Sequence, residues 1–248
     1  MTITNDDDLD GLRAIGRIVA TTLQGMARAM EPGMTTRDLD GIGRALLAAE
    51  GAQSAPELTY DFPGATCISV NEEIAHGIPG DRVLAAGDLV NIDVSAVKDG
   101  FFADTGASFP LGGVSPRILQ LCRDGRRAMQ VGIAEVGHGR PLSGIGNAIG
   151  RFAGKRGYTL IRNLASHGVG RALHEAPEEI ATWPNRDRRH IHRGLVLTVE
   201  PFLSLGGHMA KNGRDDWTLY AEPRALAVQY EHTVVATDRG AIVVTLPG

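Results

Sequence analysis

Two acids bracket a turn in segment 91–105. Asp93 closes the run Leu89-Val-Asn-Ile-Asp93, Asp104 follows Phe101-Phe-Ala, and Lys98-Asp99-Gly100 lies between them. An Asp-Gly pair flanked by β-type runs reads as a hairpin. Folding the chain about it brings Asp93 and Asp104 within a residue of cross-strand register. Side chains directly opposed on one face lie ~5 Å apart, and like charges there are destabilising. Such a pair needs a shared proton or a cation between the carboxylates. Divalent ions ~3.5–4 Å apart fit that gap and use both acids. Two solvated acids on an exposed strand face is the plain alternative.

Two more acids stand among apolar and β-branched neighbours. Glu200 ends Leu195-Val-Leu-Thr-Val-Glu200-Pro201, and Glu231 lies within Val228-Gln-Tyr-Glu231-His-Thr-Val-Val235. A carboxylate buried there without a partner is strongly disfavoured or forced neutral. His167, between Ser166 and Gly168, is read as an imidazole presented on a turn. Four acids and one imidazole form a mostly oxygen donor set. It suits Mn, Fe(II), Co or Zn in a two-metal hydrolase better than a closed structural zinc site, which favours cysteine.

The elements that must position these groups show in the periodicity. Leu9, Leu12, Ile15, Val19, Leu23, Met26 and Met30 share one helical face, and Pro32-Gly33 stops that helix. Thr35, with Asp38 three residues on, caps a second helix lined by Leu39, Ile42, Leu46 and Leu47 and ending at Gly51. Both read as scaffold. Strand-like runs at 66–70, 88–97 and 100–109 follow, then helical spacing at 118–131 and through Leu142, Ile145, Ile149 and Phe152. Segment 195–247 is strand-like again. The order describes two similar halves and an α+β class. An internal echo agrees: Ala75-His76-Gly-Ile recurs as Ser166-His167-Gly-Val, and Leu89-Val-Asn-Ile-Asp93 as Val196-Leu-Thr-Val-Glu200. It suggests a duplicated half whose acids project into one shared cleft.

The 248 residues allow one substantial core or at most two modest domains. Twenty-five basic against 29 acidic residues leave a net charge of −4, which excludes a global positive field for DNA or anionic lipid. Two cysteines, Cys67 and Cys122, argue against a disulfide scaffold; the apolar neighbours of Cys67 predict an inert buried thiol. The acidic start lacks the features of a signal peptide, and no apolar run reaches the ~18 residues of a bilayer span. The expectation is a cytoplasmic protein. His174-Glu-Ala-Pro177 lacks the second histidine of a zincin, and Gly150 to Arg156 is no P-loop. The basic run 186–193 reads as a solvated loop, with a contact to ribosomal RNA as the alternative.

Five motifs together resemble the type I methionine aminopeptidases, over nearly the whole chain. They are His76-Gly-Ile-Pro79; Asn91-Ile-Asp93 with Lys98-Asp-Gly-Phe101 and Asp104-Thr105; Ser166-His167-Gly-Val-Gly170 with His174-Glu-Ala-Pro177; Thr198-Val-Glu200-Pro201; and Gln229-Tyr-Glu231-His-Thr233. The resemblance implies a single pita-bread domain over 1–248, with pseudo-symmetric halves, antiparallel sheet and helices outside, the N-terminal helices (about 8–51) included. It implies two divalent ions: Asp93 on one, His167 and Glu200 on the other, Asp104 and Glu231 bridging. A hydroxide held between them would attack the carbonyl after an N-terminal methionine, when the next residue is small. His174 would donate to the scissile carbonyl, His76 would contact the amide nitrogen side, and Glu200 would move the proton. Phe62, Cys67, His76, Leu173, His174 and Trp217 would line the substrate pocket. Ala75, Phe102 and Leu173 stand where many relatives carry Cys, His and an aromatic residue, which leaves the ligands intact and alters the pocket wall. A monomer acting on nascent chains is expected. The alternatives are a proline-specific aminopeptidase or prolidase, and a non-catalytic pita-bread scaffold.

Overall fold

The computed structural model describes residues 1–247. Helix α1 (Asp6–Ala29) starts where the Asn5 side chain accepts from the Asp8 amide, with three acids in its first turn to complement the helix dipole. Its buried stripe, including Leu12, Ile15, Val19 and Met26, is the face read from the spacing. Helix α2 (Thr36–Ala49) carries the expected capping box: Thr35 and Asp38 each bind the other's backbone. Strand β1 (Gln53–Ser54) leads into a six-residue helix, α3 (Ala55–Tyr60), capped by Ser54. Strands β2 (Cys67–Val70), β3 (Glu73–Ala75), β4 (Leu89–Lys98) and β5 (Phe101–Pro110) complete the first half.

The second half repeats the plan. Helices α4 (Pro116–Ile133) and α5 (Ser143–Lys155) precede strands β6 (Thr159–Leu160), β7 (Ser166–Gly168), β8 (Glu175–Ile180) and β9 (Val196–Val199). After them come β10 (Phe202–Ser204), β11 (Met209–Asn212), β12 (Leu219–Glu222), β13 (Ala227–Gln229), β14 (His232–Thr237) and β15 (Gly240–Val243). All strand pairings are antiparallel. One sheet has β4 central, flanked by β2 and β5; another runs β15-β14-β9-β7-β8. Helix α1 packs on β4 and β5, and α4 packs on β9, β10 and β13. One apolar cluster runs from Leu12 through Ile92, Leu121 and Val199 to Val244, so both halves share a core.

The sheets meet at a hydrogen-bonded seam that sets the site. The Asp104 amide donates to Thr233 Oγ1, whose hydroxyl donates back to the Asp104 carbonyl. The Thr105 hydroxyl donates to the Glu231 carbonyl, and the Glu231 amide to the Gly106 carbonyl. Strand β5 and the β13–β14 junction are thus locked at the residues bearing Asp104 and Glu231.

Two expectations need correction. Asp99 and Gly100 form a two-residue turn with φ of 51° and 75°, the double positive φ of a type I′ hairpin. That turn pairs Lys98 with Phe101, and hence Asp93 with Gly106 and Ser95 with Asp104. Asp93 and Asp104 are therefore diagonal neighbours two residues out of register, still on one face because side chains alternate with period two. His167 lies on strand β7 rather than on a turn. Gly168 beside it is small for a packing reason: a Cβ there would run into the backbone of Glu175 and Ala176 on β8.

Candidate metal centre

Five side chains, three on strands and two at strand ends, converge. Asp93 lies on β4, Asp104 on β5, His167 on β7; Glu200 directly follows β9 and Glu231 sits between β13 and β14. Donor atoms of Asp104, His167 and Glu231 all lie within 4.8 Å of one another, and all three residues are buried. His167 Nε2 is 3.4 Å from Glu200 Oε1 and 4.0 Å from Asp104 Oδ2. Asp93 and Asp104 are close enough for their carboxyls to share a proton.

The hydrogen bonds around this cluster hold its members without satisfying them. Thr198 Oγ1 accepts from the His167 amide and donates to Glu200 Oε1 over 2.8 Å. The Glu200 amide donates to Ser166 Oγ. Behind Glu231, Asn91 Nδ2 donates to Gln229 Oε1 at 2.9 Å, and Gln229 Nε2 donates to Glu231 Oε2 at 2.8 Å. Asp104 Oδ1 and Glu231 Oε1 are left with no partner; among the described residues only three buried side-chain polar atoms are so orphaned. The ring nitrogen His167 Nδ1 lies 3.0 Å from the Gly168 carbonyl, a contact that places the imidazole proton on Nδ1. Nε2 then turns a lone pair toward carboxylate oxygens.

Lone pairs facing lone pairs at close range in a largely buried site demand a proton or a cation. Burial, then mutual repulsion, pushes Asp93, Glu200 and Glu231 well above the usual carboxylate range. Burial lifts Asp104 to about 6. His167 offers no relief as an imidazolium, because burial and the neighbouring His174 lower it to about 3. The donor set therefore fits divalent cations: four carboxylates for charge and one neutral imidazole, with two oxygens unclaimed by protein. An outcome of definite sign follows. Below their raised pKa values the carboxyls carry protons that an incoming cation must displace, whereas His167 is already neutral. Metal uptake near pH 6 should release protons, and apparent affinity should climb from pH 5 to 7. Calorimetric titration with Mn in two buffers of different ionisation enthalpy measures this; identical heats would contradict it.

The cluster forms one wall of a cavity of about 380 Å³. Asp93, Asp104, His167 and Glu200 line it, together with Phe62, Cys67, His76, Leu173, His174 and Trp217. Glu231 is the one expected site residue that stands behind this lining. The Phe62 and Trp217 rings meet edge-on with centroids 5.2 Å apart, making a firm apolar corner. Ala75 stands on the same lining, whereas Phe102 does not. His76 is held at a φ of 52°, a strained setting for a non-glycine residue at a site. Burial lowers His76, and burial with the neighbouring His76 lowers His174, so both favour the neutral form. Cys67 is half-buried rather than fully buried; desolvation and then Asp93 push its thiol well up, which keeps it protonated and unreactive.

Sequence reasoning missed Tyr60, Asn163, Leu164 and Phe202, which also line the cavity. Tyr60 ends a helix too short to show periodicity, Asn163 and Leu164 lie between two very short strands, and Phe202 begins a third. Within the basic run, Arg189 pairs with Asp187 and Arg193 with Asp238, which neutralises two of its cations.

Residues 10–238 match the sequence profile of metallopeptidase family M24. The chain is 46% identical over 247 residues to methionine aminopeptidase 2 of Bacillus subtilis, covering 99% of each. It is 42% identical to a methionine aminopeptidase of Staphylococcus epidermidis, covering 99% of this chain and 98% of that one. The crystal structure of methionine aminopeptidase from Rickettsia prowazekii superposes with a TM-score of 0.94 at 33% identity, covering 99% of this chain and 100% of that chain. The architecture is thus the pita-bread fold expected from the motifs. A chain that matches over nearly its full length, and whose buried acids call for divalent cations, belongs to metallopeptidase family M24.

Proposed function

We propose that this chain is a methionine aminopeptidase, removing N-terminal methionine from nascent polypeptides whose second residue is small. One observation carries the reading: three carboxylates and a neutral imidazole line one wall of a cavity, a fourth carboxylate, Glu231, stands behind them, and much of the remaining lining is apolar or aromatic. Asp93 would hold one cation, His167 and Glu200 the other, and Asp104 and Glu231 would bridge both. A divalent pair held there would supply Lewis-acid polarisation of the scissile carbonyl and a water acidified enough to serve as nucleophile at neutral pH.

The chain's own residues do the rest. Phe62, Trp217, Cys67 and Leu173 receive the methionine side chain, whose polarisable thioether suits aromatic and sulfur neighbours. His174 donates to the scissile carbonyl oxygen, where negative charge develops. His76 contacts the amide nitrogen, and Glu200 takes up the proton released by the attacking water and passes it to the leaving amine. The site acts as one catalytic unit drawing on both halves, in a cytoplasmic monomer that meets N-termini as they leave the ribosome. Supplied with Mn or Co, the protein should release methionine from Met-Ala-Ser and leave Gly-Pro and other Xaa-Pro dipeptides uncut. Turnover of the Xaa-Pro dipeptides alone would transfer the assignment to a proline-specific hydrolase.

A further inference from the structure

The cavity holds a hydroxyl that the reaction scheme above does not use. Tyr60 is the last residue of α3, and its Oη lies 2.6 Å from His174 Nδ1 across 114 residues of sequence. The two rings are tilted at 52° with centroids 5.6 Å apart. On its other side the His174 ring lies against His167, with centroids 4.0 Å apart. His174 is thus held between a metal-facing imidazole and a phenol at the cavity lip.

The helix that delivers this phenol is itself anchored. The Ser54 side chain caps its start, and Arg44 binds both oxygens of Glu57 at 2.9 and 2.6 Å. Asp61, with a φ of 54°, ends the helix directly after Tyr60. A six-residue helix tied at its first turn by a two-pronged ion pair fixes where its last side chain points. Tyr60 is nevertheless 43% exposed, so its ring contributes little to the core. The hydroxyl contact is the specific interaction this side chain makes.

A neutral imidazole has one donor and one acceptor nitrogen, and the partner of one decides the role of the other. The geometry points to Tyr60 as a positioning residue for His174: its hydroxyl donates to Nδ1 and so keeps the ring proton on Nε2, the nitrogen left to donate to a substrate carbonyl. Without that contact the ring can hold its proton on either nitrogen, and the Nδ1–H form offers the substrate a lone pair where a donor is required. The role rests on the proposed function, because a donor at Nε2 matters only if a carbonyl oxygen must be stabilised there.

The test is a Tyr60→Phe variant, which keeps the ring and removes only the hydroxyl. Nitrogen-15 NMR of the zinc-loaded protein reads the tautomer of His174, with His174→Ala identifying its resonances. The wild type should show the Nε2–H form and Tyr60→Phe a mixture of the two. With Met-Ala-Ser, kcat should fall by about 10- to 100-fold at nearly constant KM and unchanged metal content. In a His174→Ala background the same substitution should change kcat no further. An Nδ1–H tautomer in the wild type, an unchanged spectrum and kcat in the variant, or a loss confined to KM would each overturn the role. The tautomer reading needs no turnover, so an inactive wild type would sink the proposed function and leave the role of Tyr60 to the spectrum.

Discussion

Glu231→Gln should abolish methionine release and yet raise the melting temperature of the metal-free protein. The two effects have one cause. In the wild type, Glu231 is buried with one oxygen on Gln229 and the other unpaired, facing three further acids that raise its pKa beyond the effect of burial. The amide removes that charge and brings N–H donors into the group of carboxylate oxygens, among which Asp104 Oδ1 is also orphaned. The metal-free cluster is relieved. On the proposed ligand assignment the metal-loaded cluster would lose a bridging anion, and the cations would be left under-neutralised. Loss of a ligand should cost more metal affinity than the about 10- to 100-fold typical of an outer partner. Thermal melting with chelator, metal titration and turnover check the three parts together. A variant that retains activity, or that melts lower than the wild type without metal, would show that Glu231 is not a bridging ligand.

His174→Ala should behave in the opposite way. His174 lines the cavity but lies outside the close group of donors. Its removal should leave metal content and melting temperature near wild type while lowering kcat by about 100- to 1,000-fold, the usual cost of losing one donor to a developing oxyanion. KM should change far less, because the interaction is made chiefly in the transition state. Metal analysis alongside steady-state kinetics on Met-Ala-Ser separates the two roles. A parallel loss of metal would make His174 a ligand, and a loss confined to KM would make it a binding contact only.

Much of this site was legible because each donor sits in a short β-run with its own local signature. Glu200 and Glu231 stand out as acids where the pattern calls for apolar residues, and an expensive placement of that kind signals function. The first two helices were legible for a different reason: Thr35 and Asp38 cap the second, and the apolar stripes of both keep a helical period. The hairpin was found but its register was not, because the pairing depends on whether two or three residues form the turn. Asp99 and Gly100 alone do so, and the carboxylates shift from opposed to diagonal. The sequence places His167 on a turn because Gly168 reads locally as a turn residue. Its small size serves the close approach of β8, a neighbour that no local pattern reveals. Tyr60 was invisible for the same reason. Its partner lies 114 residues away, and α3 places an exposed Leu58 where an amphipathic stripe would want burial.

The central claim is that the repulsion among Asp93, Asp104, Glu200 and Glu231, with His167 neutral beside them, is relieved by paired divalent cations. Anomalous diffraction from crystals soaked in Mn tests it most directly. The account predicts two peaks, one against Asp93 and one against His167 and Glu200, both within reach of Asp104 and Glu231. Crystals that show no peak at these five side chains at saturating Mn and neutral pH would contradict it.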